Sequence, residues 1–348
     1  ASVGTKVILN GKVKSVEEWS EQYGNMNFTM TDGTGDMYVF RSKTKVVVGD
    51  EVKVSGEIGE YQGNKQIAQG ATVEVTKVAL PEGTEVAQVT MSHDGSFAVI
   101  NSNNGLEKVT LANGKTVKIA GSASFSSVEI SEDGSTVVFK QPSYQGKLRY
   151  TALKSVNLSN GKETTLVAPS RNLQGFNIVG NRVNAVNKGK LSTKALSANA
   201  SAEAPVASIS RGALLVTVNG VTRNISPQGT SGQSYLWPSV SPDGTKVLYY
   251  LVGSGAWVCN LDGSNAVKVG TVRAAQWYDN NVIVGMEDED NGEVVTASKL
   301  VAVNAAGTIK QDLTQVSSMA MYPSVAGNGS KISFVTPAGE MFIMSVNK

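Results

Sequence analysis

Apolar and polar residues alternate in short runs from the start of the chain, over residues 7–16, 27–31, 37–40, 51–57 and 72–78. A period of two over a few residues marks a strand with one buried face, so the first 78 residues predict five strands. Turn residues punctuate them at Tyr23-Gly24-Asn25, Asp32-Gly33-Thr34-Gly35, Gly49-Asp50 and Gln62-Gly63-Asn64, where Gly and Asn tolerate positive φ. Five strands in so short a segment bury their faces only by curling into a barrel. Residues 79–85, with Pro81 and Gly83, carry no period and read as a linker.

A different rhythm fills residues 86–348. Met91-Ser92-His93-Asp94-Gly95-Ser96-Phe97 returns as Ile130-Ser131-Glu132-Asp133-Gly134-Ser135-Thr136 and as Val240-Ser241-Pro242-Asp243-Gly244-Thr245-Lys246. A weaker copy, Val325-Ala326-Gly327-Asn328-Gly329-Ser330-Lys331, lies near the end. Asp94 and Asp133 are 39 residues apart. Trp237 and Tyr322 are 85 apart, two periods of about 42, the length of a four-stranded propeller blade. Fainter units span 176–196, 206–226 and 272–314, which makes seven blades, or six if the two short middle units merge. No blade buries its own faces, so the ring is one cooperative core. The terminal strand at 341–346 is expected to pair with, or lie beside, the first blade near 86–91, removing two exposed edges.

Asn27-Phe28-Thr29-Met30-Thr31-Asp32-Gly33, with Val48-Gly49-Asp50-Glu51-Val52-Lys53-Val54 and Tyr61-Gln62-Gly63-Asn64-Lys65-Gln66-Ile67, resembles the OB-fold domains of the anticodon-binding-like superfamily over residues 5–78. That resemblance implies a domain that binds nucleic acid, sugars or proteins, or supports its neighbour. It departs at residues 41–49, a segment too short and β-branched for the helix usual there. The repeats, clearest from Trp237 to Gly263, resemble TolB-like propellers over residues 86–347. This second resemblance implies six blades and action through protein contacts. The fold class is therefore all-β: a barrel at 1–78, a linker at 79–85 and a propeller at 86–348.

The net charge is +2, and no block of Lys or Arg stands out, so the positive field that gathers nucleic acid or anionic membrane is missing. No apolar run approaches the roughly 20 residues of a membrane span. The opening residues are not a signal peptide; a removed signal segment and an extracytoplasmic place, periplasm or cell surface, are expected from the TolB resemblance and the low charged fraction of 17%. A monomer is the expected state. Cys259 is the only cysteine and lies in an apolar run, the setting of a buried thiol.

Chemistry is sparse. The single histidine, His93, falls in a turn slot also held by Glu132 and Pro242, which is no place for a triad base. One His and one Cys do not make a transition-metal site, and neither a nucleophile elbow nor a phosphate loop is present, so no cofactor and no metal are expected. Asp94, Asp133 and Asp243 recur because an Asx side chain closes such a turn. The acidic run Glu287-Asp288-Glu289-Asp290 reads as a hairpin tip rather than a calcium loop.

In the barrel, Tyr23, Tyr61, Arg41 and Lys65, with Lys43 and Lys45, form a weak aromatic and basic pattern. Residues 1–80 nevertheless hold nine basic against ten acidic side chains, which argues against oligonucleotide binding. Counting back six residues from the turn residues Asp94, Asp133, Asp243 and Asn328 places Gln88, Ser127, Trp237 and Tyr322 at one mouth of the channel, joined by Arg273 if Asp279 fills the same turn slot. Aromatics and Arg are the residue types of binding hot spots. The sequence thus reads as a non-enzymatic, extracytoplasmic binding or scaffolding protein for a protein or glycan ligand. The alternatives are a propeller-type lyase or glycosidase, and single-stranded nucleic-acid binding through the barrel.

Overall fold

The computed structural model describes residues 1–44, 46, 48, 50–198, 202–314, 316 and 319–346. Among them there is no α-helix, and no helix is long and apolar enough to cross a membrane. The barrel is a closed ring of five strands. Lys6–Val16 pairs with Met26–Thr31, which pairs with Asp36–Ser42; Asn64–Ile67 runs parallel to the latter, and Glu51–Tyr61 closes the ring against Lys6–Val16. Met26–Thr31 shows the expected alternation, with Met26, Phe28 and Met30 buried and the residues between them half-exposed. Phe28, Val39, Val54 and Ile67 are the centre of its core.

The pattern missed Asn64–Ile67, a four-residue strand hidden behind a turn signal. Gln62 and Gly63, both at positive φ, form that turn, and the chain pairs again immediately after it. The strand at Thr72–Lys77 lies outside the closed ring, against the start of Glu51–Tyr61. The connection at 41–49 falls partly outside the described residues, as does Lys45.

Six separate antiparallel sheets follow, spanning 86–120, 128–170, 173–195, 206–224, 235–270 and 273–312. A seventh unit, Met321–Val325, Lys331–Val335 and Met341–Ser345, is joined to the barrel sheet by a single bridge between Phe342 and Lys77. The propeller therefore has seven blades, of which the third, fourth and seventh hold three strands of their own. Apolar clusters fill the seams: Phe97, Leu106 and Phe139 between the first two blades, for example, and Val89, Ile100, Leu300, Met321 and Ile332 where the sixth, seventh and first meet.

The terminal strand does not join the first blade, which already has four strands of its own. Closure is made instead by side-by-side contacts: Met91 N donates to Ser324 Oγ at 3.0 Å, and Val86 N to the Gly339 carbonyl at 2.9 Å. Val78 and Val86 are buried in the shared core, and Leu80 packs on it. In the connection Pro81, Glu82, Gly83 and Glu85 are exposed.

The Asp-Gly turns explain their own recurrence. Ser131 Oγ donates to Asp133 Oδ1 at 2.7 Å, and the same oxygen accepts from Ser135 N at 2.9 Å. The pattern repeats at Ser92–Asp94–Ser96 and Ser241–Asp243–Thr245. Asn181 of the third blade accepts from Asp133 N, and Asn280 of the sixth from Asp243 N, so the turns also clamp adjacent blades. Burial alone would raise the Asp133 carboxyl, but the bonds from Ser131 and Ser135 outweigh it and hold the group below its ordinary value.

A depressed folded pKa gives stability that is present above the unfolded value and lost as pH falls through the folded one. Asp133→Ala is accordingly expected to cost about 1–2 kcal/mol at neutral pH, with the difference from the parent shrinking below about pH 4. Denaturant melts across that range check it; a difference that does not change with pH would contradict the role.

Candidate functional site

The first strand of each blade forms the inner edge of its sheet, and these strands meet their counterparts around the ring. At the mouth where they begin, several of these strands carry a bulge. Trp237 and Pro238 stand opposite one residue between the pairs Leu236–Tyr250 and Ser239–Leu248. Tyr322 and Pro323 do the same between Met321–Val335 and Ser324–Ser333, and Ala274 and Ala275 between Arg273–Met286 and Gln276–Val284. A bulge leaves its extra residue unpaired and re-aims the side chain.

The backbone is left-handed at Trp237 (φ 49°), Tyr322 (φ 50°) and Ala274 (φ 46°), and at Ser126 (φ 52°), just before the first strand of the second blade. For a bulky residue this conformation is costly, by about 1–3 kcal/mol. A following proline further restricts the two aromatics.

The expected mouth residues take distinct parts. Trp237 is 39% exposed, with its ring 5.5 Å from that of Tyr250 on its own blade. Tyr322 is half-buried and meets Phe125, from the loop before the second blade, edge to face at 5.0 Å. Phe125 is 45% exposed. Gln88 is buried, and its Oε1 accepts from Ser126 N at 2.7 Å, which fixes the left-handed residue beside Phe125. Gln88, Phe125 and Tyr322 therefore form one cluster.

Arg273 Nη1 donates to Asp288 Oδ2 at 2.6 Å; the Asp288 side chain is almost fully enclosed while the guanidinium stays open on one side. Ser127 is buried and donates to the Ser124 carbonyl. Pattern reasoning missed Phe125, Tyr250 and Asp288. An exposed ring in the loop Ser124-Phe125-Ser126-Ser127 was the available signal.

The acidic run lies on a hairpin, where Glu287 binds Lys310 and Lys299 and Asp288 binds Arg273. Among the described residues, no three His, Cys, Asp or Glu groups are placed to hold a metal ion. Cys259 is buried, and burial pushes its thiol up to about 12. His93 lies exposed in its turn, at the end of the strand away from Gln88.

One titratable group lies deeper. The Glu129 carboxyl, on the first strand of the second blade, is enclosed against the third, where Oε2 accepts from Ile178 N at 2.5 Å. Burial pushes it up to about 7, against the lowering influence of that bond and of Lys140. The folded chain thus holds a proton that the unfolded chain releases near the ordinary carboxyl value of 4.5, and stability falls as pH rises from there through about 7. Glu129→Gln is expected to melt above the parent by a margin that grows from about pH 5 to about pH 8. Thermal scans across that range decide it; a constant margin would contradict the enclosed carboxyl.

The four barrel residues are not brought together. Arg41 is near Gln69 and stacks over Phe40, at the end of the barrel where Lys43 Nζ reaches the Tyr23 carbonyl. Tyr61 and Lys65 belong to the hairpin at the opposite end, where Lys65 Nζ bonds the Ala1 carbonyl at 2.6 Å. Tyr23 and Tyr61 are both about two-thirds exposed, at 62% and 65%.

No family model and no curated protein matches the chain. Solved structures of similar fold include a putative TolB from Agrobacterium tumefaciens, at 14% identity over 82% of this chain and 95% of that one, TM-score 0.45. An oligogalacturonate lyase in complex with manganese matches at 11% identity over 100% and 99%, TM-score 0.44. A chain of a mitotic checkpoint complex matches at 9% over 81% and 100%, TM-score 0.52. At such identities the likeness concerns the fold alone. The expectation of a non-enzymatic chain is corrected by it: a lyase stands among these structures, so neither the architecture nor the missing motifs excludes a reaction.

Proposed function

We propose that the chain is a binding protein whose propeller mouth receives a protein or glycan ligand on the open faces of Trp237, Tyr322 and Phe125. The observation that carries this reading is the placement of two large rings on left-handed, proline-restricted backbone at the same bulge of two different blades. Strain of this kind clusters at binding sites, where the surrounding fold holds it. Arg273, fixed by Asp288, adds a planar donor at the same mouth.

An extracytoplasmic location belongs to this proposal and rests on the TolB resemblance; cell fractionation tests it. The domain limits 1–78, 79–85 and 86–348 are likewise proposed, and expression of residues 1–78 alone as a folded barrel would support them.

The test of binding is calorimetric titration with a panel of neutral and acidic oligosaccharides, polygalacturonate oligomers among them, each also followed for an unsaturated product by ultraviolet absorbance. Binding that Trp237→Ala weakens by at least about tenfold supports the site. Turnover would make the chain a lyase acting at the same mouth. Binding that Trp237→Ala and Tyr322→Ala leave unchanged would overturn the proposal.

A further inference from the structure

Two hairpins rise past the level at which the inner strands begin. In the second blade the inner strand starts at the pair Val128–Phe139, and the next strand runs on from Lys140 to Gln145, still paired with its neighbour. In the sixth blade it starts at Arg273–Met286, and Glu287 to Asp290 run on in the same way. In the other blades the second strand ends within a residue of that level. The two hairpins are opposite in charge. No acidic residue lies between Asp133 and Glu163, so the hairpin of the second blade carries Lys140, Lys147 and Arg149 alone, whereas that of the sixth ends in Glu289, Asp290 and Glu293, all exposed.

Two of these cations converge on the loop that carries Phe125. Ser124 N donates to the Lys140 carbonyl at 2.9 Å and Lys140 N to the Ser127 carbonyl at 3.1 Å, which seats the lysine at the root of that loop. Arg149 Nη2 donates to Ser124 Oγ at 3.0 Å. The Lys140 ammonium stands 5.7 Å from the centre of the Phe176 ring on the third blade. Burial holds it below its ordinary value; Glu129 works against that and Arg149 with it, so the two cations share one electrostatic site. Among the described residues neither is held in an ion pair, unlike Arg273, whose charge Asp288 already meets. Glu129 offsets Lys140 only in part, because its Oε2 is bonded to Ile178 N and burial pushes its carboxyl up to about 7. A half-buried ammonium and a guanidinium without a counter-charge are a standing attraction for an anion.

We infer that Lys140 and Arg149, beside the open face of Phe125, form a subsite for the carboxylate of a sugar, and that the ligand of the mouth is a short uronic-acid oligosaccharide. The inference rests on the mouth being the binding site proposed above, and it names the class of ligand. A guanidinium matches a carboxylate with two parallel donors. The face of an aromatic ring is the negative side of its quadrupole and attracts the C–H face of a pyranose, so a ring and two cations on one loop suit a sugar that carries its own charge. The hairpin of the sixth blade limits the length. A long, uniformly charged polyanion such as a nucleic acid, crossing the mouth from the second blade, would meet Glu289, Asp290 and Glu293 and be repelled.

The probes are a trimer of glucuronic acid and its methyl ester, which differ in charge alone, titrated calorimetrically into the full-length protein. The acid is expected to bind at least about tenfold more tightly than the ester. Arg149→Gln and Lys140→Gln are each expected to remove most of that preference and leave the ester unaffected, while Lys147→Gln, at the tip of the same hairpin, changes either affinity less than about twofold. Should Lys140→Gln melt below the parent, the exposed Arg149 decides alone. Equal binding of acid and ester, both weakened by Trp237→Ala, would overturn the subsite and leave the mouth as the binding site; binding of both that Trp237→Ala does not touch would overturn the mouth as well. An equal effect of Lys147→Gln would reduce the subsite to a general field, and no binding of the acid at millimolar concentration would overturn it. A hexaglutamate peptide that binds more tightly than the trimer, and loses affinity with Arg149→Gln, would give the subsite to a protein partner and overturn the sugar reading.

Discussion

Gly255→Ala is expected to lower stability by about 3 kcal/mol, a fall in Tm of roughly 6–12 °C for a domain of this size. Gly255 opens the third strand of the fifth blade at φ 115°, and a Cβ there would lie 2.2 Å from the Gly270 carbonyl oxygen. That oxygen belongs to backbone held by the pairing of Ala256 with Gly270, so it has no way to move aside. Two residues earlier, Gly253 sits at φ 77° with nothing within 4 Å. Gly253→Ala isolates the conformational cost, about 1 kcal/mol. Urea melts of both variants give the comparison, and equal losses would show that the close approach of the third and fourth strands does not matter.

Trp237→Gly and Tyr322→Gly are expected to abolish ligand binding at the mouth while leaving Tm unchanged or slightly higher. Glycine adopts φ near 50° without penalty, so each change releases about 1–3 kcal/mol of strain. Against this stands the loss of one ring contact, with Tyr250 or with Phe125, of about 0.5–1.5 kcal/mol beyond area. Were the rings plugs between blades, the same changes would cost about 3–5 kcal/mol. Scanning calorimetry on both variants separates the two roles, and a large loss in both would remove these residues from the site.

What was legible in the chain was what local chemistry decides. Ser131-Glu132-Asp133-Gly134-Ser135 closes on itself through Asp133, so each copy announced a turn and, with its flanking apolar runs, a blade. The third and fourth blades were faint because Gly180-Asn181 and Arg211-Gly212 turn the chain without that Asp. The strand Asn64–Ile67 was lost because its turn signal overlaps its first residue.

The mouth was half legible. Position in the repeat singled out Trp237 and Tyr322, but no aromatic residue favours positive φ, so the bulge that carries them had no signature. Phe125 meets Tyr322 only when the ring closes, through contacts that no local pattern encodes.

Oxidative footprinting of the ligand complex tests the central claim most directly, because Trp237, Phe125 and Tyr322 at the mouth and Tyr23 and Tyr61 on the barrel are all accessible rings. Bound ligand is predicted to slow modification of the three mouth residues severalfold and leave the two barrel tyrosines unchanged. Protection confined to Tyr23 or Tyr61, with the mouth as reactive as before, would contradict the account.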